Sequence, residues 1–417
     1  MKVLIISEHR WGSGAAIAAR RLAASLAVAG HDVVFAWLFN RPGAPEAPGL
    51  REASIERGRD PFTKLLTRAL FRLHERLSVL PQPIAAASQR TVLRLVFAAN
   101  ARRLRNLLRR EKPDVVNVHN FSLITSHGAV AKLAERHPLV VTLHDQHGIR
   151  GWTYLYANRK GSPRRTPNAR LFLSSADVAA LVRRSRAHFA APSRWLAADA
   201  RAAGAFSRTH HIPYGIDTQS FRPEPPEEAM RRQQIPADPT RVTLLFVGAL
   251  LTSDRKNLAL LLEALRHVEG APVRLLCLGA GGADFADLPV PVINLGHKTR
   301  VEDLRDVYSA ADLFVIPSLA DNLPNTVLES LLCATPVLGA RVGGITDMVV
   351  EGETGWLFNP RDAEELAAAI RRLSGDRPAL EAMRPRCRSF AEARYATHRQ
   401  AQDYEQLYSQ LIAERQK

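Results

Sequence analysis

A chain of 417 residues is too long for one ordinary core and predicts two domains. Its apolar fraction of 46% is that of a soluble globular protein, and no run approaches the roughly 20 apolar residues of a membrane span. The net charge of +16 favours acidic partners such as an anionic membrane or phosphorylated substrates; with no zinc-finger pattern and no aromatic-rich basic stretch, nucleic acid is set aside.

Lys2–Ser7 reads as a first strand, cut off by Glu8-His9-Arg10 and therefore not a signal peptide. A turn with Gly12 and Gly14 follows, then an Ala-rich helix to about Ala29 and a second strand from Asp32 to Trp37. This is a βαβ unit with glycines at its ligand-facing turn, where a missing Cβ permits close backbone approach. The dinucleotide spacing G-x-G-x-x-G is absent, because Ile17 stands where the third glycine would be. The plain alternative is a tight turn with no ligand.

Arg51–Lys112 differs in character: it is dense in Lys and Arg, and Leu66, Leu70 and Leu73 recur at helical spacing beside Arg68, Arg72 and Arg76. It predicts a basic helical insertion that either presents a solvated face or docks on an anionic membrane surface or acceptor. Two buried strands then end in histidines, Asp114–Val118 before His119 and Leu139–Leu143 before His144-Asp145. Both histidines thus stand at carboxyl ends of strands, in the same crevice as the first glycine turn. Trp152 and Tyr154 downstream could stack on a sugar or simply pack. Pro223–Pro239, rich in Pro, Glu and Gln, reads as a linker or surface excursion and marks the domain boundary.

The second half restarts the alternation with a strand at Val242–Val247, the loop Leu251–Asn257, a helix at Leu258–Val268 and a strand at Val273–Leu278. Arg255 and Lys256 lie beyond the first of these strand ends, where paired cations suit a phosphate. Cys277, Cys333 and Cys387 are scattered, with neither metal nor disulfide spacing, and read as inert thiols in a reducing cytosol. Ala311–Arg341 reads as strand, loop, helix, strand, with Asn322 or Asn325 available to cap the helix. Its first amides, at Asn325, Thr326 and Val327, would face an anion with the helix dipole behind them. Asp321 and Glu329 bracket the turn and suit sugar or ribose hydroxyls. Together these features fit a nucleotide sugar; the plain alternative is a capped core helix with a solvated acid at each end. No Asp-x-Asp pair occurs in the chain, which disfavours a metal-bridged diphosphate, and no cofactor is expected.

The segment Asp321-Asn-Leu-Pro-Asn-Thr-Val-Leu-Glu329, trailed by Gly343-Gly344-Ile345, resembles the Glu-x7-Glu motif of the retaining glycosyltransferases of family 4, with Asp in the first position. Thr142-Leu-His144 is similar to the family's Thr-x-His strand end, and Pro213-Tyr-Gly-Ile-Asp217 to its Pro-Asn-Gly-hydrophobic-Asp segment, with Tyr214 for Asn. The loop lysine matches Lys256, whereas Ala249 stands where the family has an Arg, a position Arg255 could serve.

The resemblance implies the GT-B fold: two Rossmann-like doubly wound α/β domains facing across a cleft. Residues 1–222 would form the acceptor side, 223–390 the nucleotide-sugar side, and 391–417 a helix crossing back. It implies catalytic roles for His144, Lys256 and Asp321, and donor binding by Gly12, Gly14, Arg255, Lys256, Asn325, Thr326 and Glu329. His119, Asp145 and Trp152 would serve the acceptor or support the site. The implied partners are a nucleotide-sugar donor and a glycan or lipid-linked acceptor of surface polysaccharide synthesis. The implied location is the cytoplasm, at most peripheral to a membrane. A nucleotide-sugar epimerase on the same fold and a non-catalytic binding scaffold remain as rival readings.

Overall fold

The computed structural model describes residues 1–39, 47, 49–55, 100–119, 127–146, 186–203 and 208–416. Trp152 and the Arg68, Arg72, Arg76 repeat lie outside the described residues. The chain divides into two compact units, Met1–Ile212 with Gln400–Lys417, and Pro213–Arg399.

The first unit is built on a parallel sheet of seven strands: β1 (Lys2–His9), β2 (Asp32–Phe39), β3 (Arg51–Ser54), β4 (Val115–His119), β5 (Leu139–Thr142), β6 (His188–Ala191) and β7 (Thr209–His211). Their order in the sheet is β3-β2-β1-β4-β5-β6-β7. Strands such as β1 and β4 are buried on both faces, which is why their sequences run apolar without alternation. Helix Gly14–Val28 covers one face with Ala19, Leu22, Ala23 and Leu26, and the last helix, Thr397–Gln416, covers the same face with Tyr404, Leu407, Tyr408 and Leu411. On the other face, residues 100–111 form a helix that packs Leu104, Leu107 and Leu108 into the core and turns Arg102, Arg105 and Arg109 outward.

The second unit has the same plan. Strands β8 (Val242–Leu250), β9 (Val273–Ala280), β10 (Val292–Asn294), β11 (Leu313–Ile316), β12 (Val337–Ala340) and β13 (Gly355–Phe358) form a parallel sheet ordered β10-β9-β8-β11-β12-β13. At Gly279 a Cβ would sit 2.2 Å from the Gly248 carbonyl oxygen, so only glycine lets the ends of β8 and β9 close. Cys277, Cys333 and Cys387 are free and buried in this unit, and burial raises all three thiol pKa values, the first and third to about 12.

Two segments differ from the sequence reading. Arg51–Ser54, inside the stretch read as helical, is the edge strand β3; Glu52 is held there by Arg10 and Arg20, and charge on an edge strand deters further pairing. The stretch read as a linker contains helix Pro226–Arg232, which buries Ala229 and sets Arg232 against Asp306 at 2.7 Å. Its Pro and Glu residues, read as loop signals, are those of a helix start: Pro226 in the first turn, with Glu227 and Glu228 near the positive end of the dipole.

Candidate active site

In each sheet the strand order reverses beside the first strand of the unit, between β1 and β4 and between β8 and β11. Loops leave the carboxyl ends of those strands in opposite directions, opening a crevice where open α/β sheets bind ligands. The sequence-predicted residues that are described collect at these two places, one set in each unit.

In the second unit the loop after β8 carries Arg255 and Lys256, and the loop after β11 carries Asp321. Arg255 Nη1 donates to Asp321 Oδ1 and Lys256 Nζ to Asp321 Oδ2, each at 2.7 Å. Burial alone would raise the Asp321 pKa, but Lys256 and then Arg255 outweigh it, and the carboxyl is held below its usual range. The loops are tied by backbone as well. The Leu319 amide donates to the Arg255 carbonyl at 2.9 Å, and the Gly344 amide to the Asp321 carbonyl at 3.1 Å. Asn257, in the left-handed region at φ +55°, donates through Nδ2 to the Pro317 and Pro360 carbonyls. Asn is enriched in that conformation, so its place after Lys256 is a turn signal the sequence reading passed over.

Helix Asn325–Leu332 starts directly beyond this cluster. Pro324 holds the N-cap position, in place of the expected Asn322 or Asn325, and makes no side-chain cap hydrogen bond. The side-chain oxygen of Thr326 in its first turn is buried without a partner. Glu329 shares a face with Asn325 one turn earlier and is 9% exposed. Its Oε2 accepts from the Tyr308 hydroxyl at 3.1 Å. Tyr308 is fully buried, and burial together with Glu329 raises its pKa well above 10, so it remains a neutral donor. No sequence signal marked Tyr308.

In the first unit, Gly12 adopts φ +86° in the turn after β1, and Gly14 opens the helix that Ser13 caps by accepting from the Ala16 amide. Arg10, in the same turn, lies 5.1 Å over the Trp37 ring and shares the Glu52 carboxylate with Arg20. His119 ends β4, in register with Ser7 of β1 and Thr142 of β5. His119 Nδ1 and His144 Nε2 lie 2.9 Å apart in a hydrogen bond. The segment that carries His144 and half-buried Asp145 is anchored at both ends: the Leu143 amide donates to Ala190, and Gln146 donates to Asp199 at 2.7 Å. Burial pushes the His144 pKa down to about 3; burial, then the neighbouring His144, lowers that of His119 well below its ordinary value. Both rings are therefore neutral at physiological pH. Among the described residues no group of three or more His, Cys, Asp or Glu converges as a metal site.

The fold thus places one polar cluster at the strand ends of each of two doubly wound α/β units. The family described as "Glycosyltransferase Family 4" matches residues 12–220, and "Glycosyl transferases group 1" matches residues 241–376. The chain belongs to glycosyltransferase family 4.

Among curated proteins it is 36% identical over 200 residues to the D-inositol 3-phosphate glycosyltransferase of Geodermatophilus obscurus, covering 42% of each chain. It is 31% identical over 172 residues to the sulfoquinovosyl transferase SQD2 of Arabidopsis thaliana, covering 40% of this chain and 33% of that one. The chain thus spans well under two thirds of these two relatives' length.

Among solved structures, sucrose-phosphate synthase from Thermosynechococcus elongatus superposes with a TM-score of 0.73 at 21% identity, covering 99% of both chains. Anabaena HepE in complex with UDP-glucose does so at 0.65 and 17%, covering 98% of this chain and 100% of that one. With two parallel-sheet α/β domains, these likenesses establish the two-domain GT-B fold.

The ion cluster has a pH signature. A carboxylate whose folded pKa is depressed contributes stability above its unfolded pKa, and loses it as pH falls through the folded value. Asp321→Asn should therefore cost about 1–3 kcal/mol at neutral pH, with the gap to wild type closing as pH drops below about 4. Thermal melts from pH 7 to 3 check this; a gap that stays constant would remove Asp321 as the cations' charge partner.

Proposed function

We propose that the protein is a metal-independent, retaining glycosyltransferase that moves a hexose from a nucleotide sugar to a glycan or lipid-linked saccharide acceptor in surface polysaccharide synthesis. The observation that carries this is the meeting of Lys256, Arg255 and a helix start at Pro324 with Glu329 one turn inside. Cations and amides suit the diphosphate, and a carboxylate fixed by Tyr308 suits the ribose hydroxyls. Asp321 serves first as the counter-ion that aims Lys256 and Arg255; each of its oxygens keeps a lone pair for a hydroxyl of the transferred sugar. UDP-glucose, held by HepE, is the first donor to test.

In the transfer, the bond from the acceptor oxygen to the anomeric carbon forms on the face the diphosphate leaves. The bond from that carbon to the phosphate oxygen breaks, and the acceptor's proton passes to the leaving phosphate. The cations and helix amides stabilise the charge that develops on the diphosphate. His144, neutral at working pH, meets the sugar as a hydrogen-bonding group rather than as a cation or acid.

Glu329→Ala should weaken donor binding by about 1–3 kcal/mol, the range for losing a charged hydrogen bond. Calorimetry with UDP-, GDP-, ADP- and dTDP-sugars measures it, and unchanged affinity in a folded variant sinks the assignment. Interconversion of the donor sugar without acceptor would instead support an epimerase.

Turnover should survive excess chelator. Lys256→Ala should lower it more than Arg255→Ala, because the Lys256 side chain is mostly buried and that of Arg255 half exposed. A strict Mg²⁺ or Mn²⁺ requirement would overturn the diphosphate assignment.

A lipid-linked acceptor must be met at a membrane, and no described helix is long and apolar enough to cross one. The apolar side of residues 100–111 is taken up by the core, so docking through this helix would rest on charge, not insertion. Each outward arginine near an anionic surface contributes on the order of 1 kcal/mol. Binding to phosphatidylglycerol vesicles should fall with salt, vanish on neutral lipid, and weaken when Arg102, Arg105 and Arg109 are changed to Glu. Wild type that ignores anionic vesicles at low salt defeats the membrane reading.

A further inference from the structure

Two rungs of polar side chains cross from β4 to β5 on the face covered by the last helix. The lower rung is a run of three side-chain hydrogen bonds. Thr142 donates to Asn117 Oδ1 at 2.9 Å, and its hydroxyl and that of Tyr404 are hydrogen-bonded, also at 2.9 Å. Asn117 Nδ2 donates to the Tyr408 hydroxyl at 2.7 Å. All four groups are buried, and each is hydrogen-bonded to another of the set. The rung therefore clamps β4 and β5 in register directly beneath the histidines.

The upper rung is the pair His119 and His144. Two neutral rings joined by one hydrogen bond have coupled tautomers: one of the facing nitrogens carries a proton and the other does not. His119 is 1% exposed, and its Nε2 is buried with no partner. If His144 Nε2 were the donor, His119 would have to carry its own proton on that orphaned Nε2. If His119 Nδ1 is the donor, the orphan is a bare ring nitrogen. Buried N–H donors without partners are the rarer case. The second arrangement is therefore favoured, and it puts the His144 proton on Nδ1.

We propose that His119 is a positioning residue: by donating from Nδ1 to His144 Nε2 it holds His144 in the Nδ1–H tautomer and fixes its ring plane. His144 then meets the transferred sugar with one set polarity. The functional half of this rests on the reading of His144 at the sugar; the tautomer half does not.

The test uses the full chain with ¹⁵N-labelled histidine, the His144 resonances being assigned by comparison with His144→Asn. Wild type should show His144 protonated on Nδ1 from pH 5 to 8. His119→Asn carries an amide nitrogen in the place of Nδ1 and should preserve that state. His119→Gln, whose amide falls in the place of Nε2, should release His144 to the other tautomer, and so should His119→Phe. In transfer assays kcat should fall roughly ten- to a hundredfold in the Gln and Phe variants, the range for losing a partner that orients a working imidazole. Donor KM should stay within about threefold, and the Asn variant should recover most of the loss. A wild-type His144 protonated on Nε2 overturns the proposal, as does identical behaviour of folded His119→Asn and His119→Gln. A tautomer change with unchanged kcat upholds the histidine pair and instead removes His144 from the reaction.

Discussion

A polar group taken out of water must be paired or neutral, and the two halves of this molecule satisfy that constraint in opposite ways. At the end of β11 Asp321 is buried, yet two cations within 2.7 Å keep it ionised. At the ends of β4 and β5 the same burial acts on His119 and His144 with no carboxylate among the causes of their shifts, and both rings lose their protons. Coulomb attraction decides the first case and desolvation the second. One set of strand ends thus presents paired charge and the other neutral hydrogen-bonding groups.

Parallel topology makes both clusters possible. Every strand of a parallel sheet delivers its following loop to the same edge, and the order reversal spreads two of those loops apart. His119 and His144 are 25 residues apart in sequence and Lys256 and Asp321 are 65 apart, yet each pair is brought within hydrogen-bonding distance. The scaffold at these edges is tight. Gly279 admits no Cβ beside Gly248, and Asn257 crosses to two carbonyls from different loops.

Most of the strands were legible because apolar runs such as VLII in β1 and LFVI in β11 are bounded by turn residues, and the histidines were found because they follow such runs. Strand β3 was not legible: Arg-Glu-Ala-Ser has no apolar pattern, and its place is set by pairing with β2 and by the ion pairs of Glu52. Helix Pro226–Arg232 was hidden for the converse reason, since Ala229 is its only buried residue. Within the site, the types of Lys256, Asp321 and Glu329 could be read, but not which of them share a proton or a charge. That Asp321 engages Arg255 and Lys256 at once is a fact of loop geometry that no local window of sequence contains.

Tyrosine supplies the support that the sequence conceals most completely. Tyr308 backs Glu329 in one unit, and Tyr404 and Tyr408 back Thr142 and Asn117 in the other. Each ring fills core volume while its hydroxyl hydrogen-bonds a buried polar group, a combination Phe or Leu cannot supply. Burial raises the pKa of all three phenols, so they are neutral at physiological pH. A Lys in these positions would bring a charge into the core, and a Ser would not span the distance. The polar groups at the strand ends are thus held from within the apolar core.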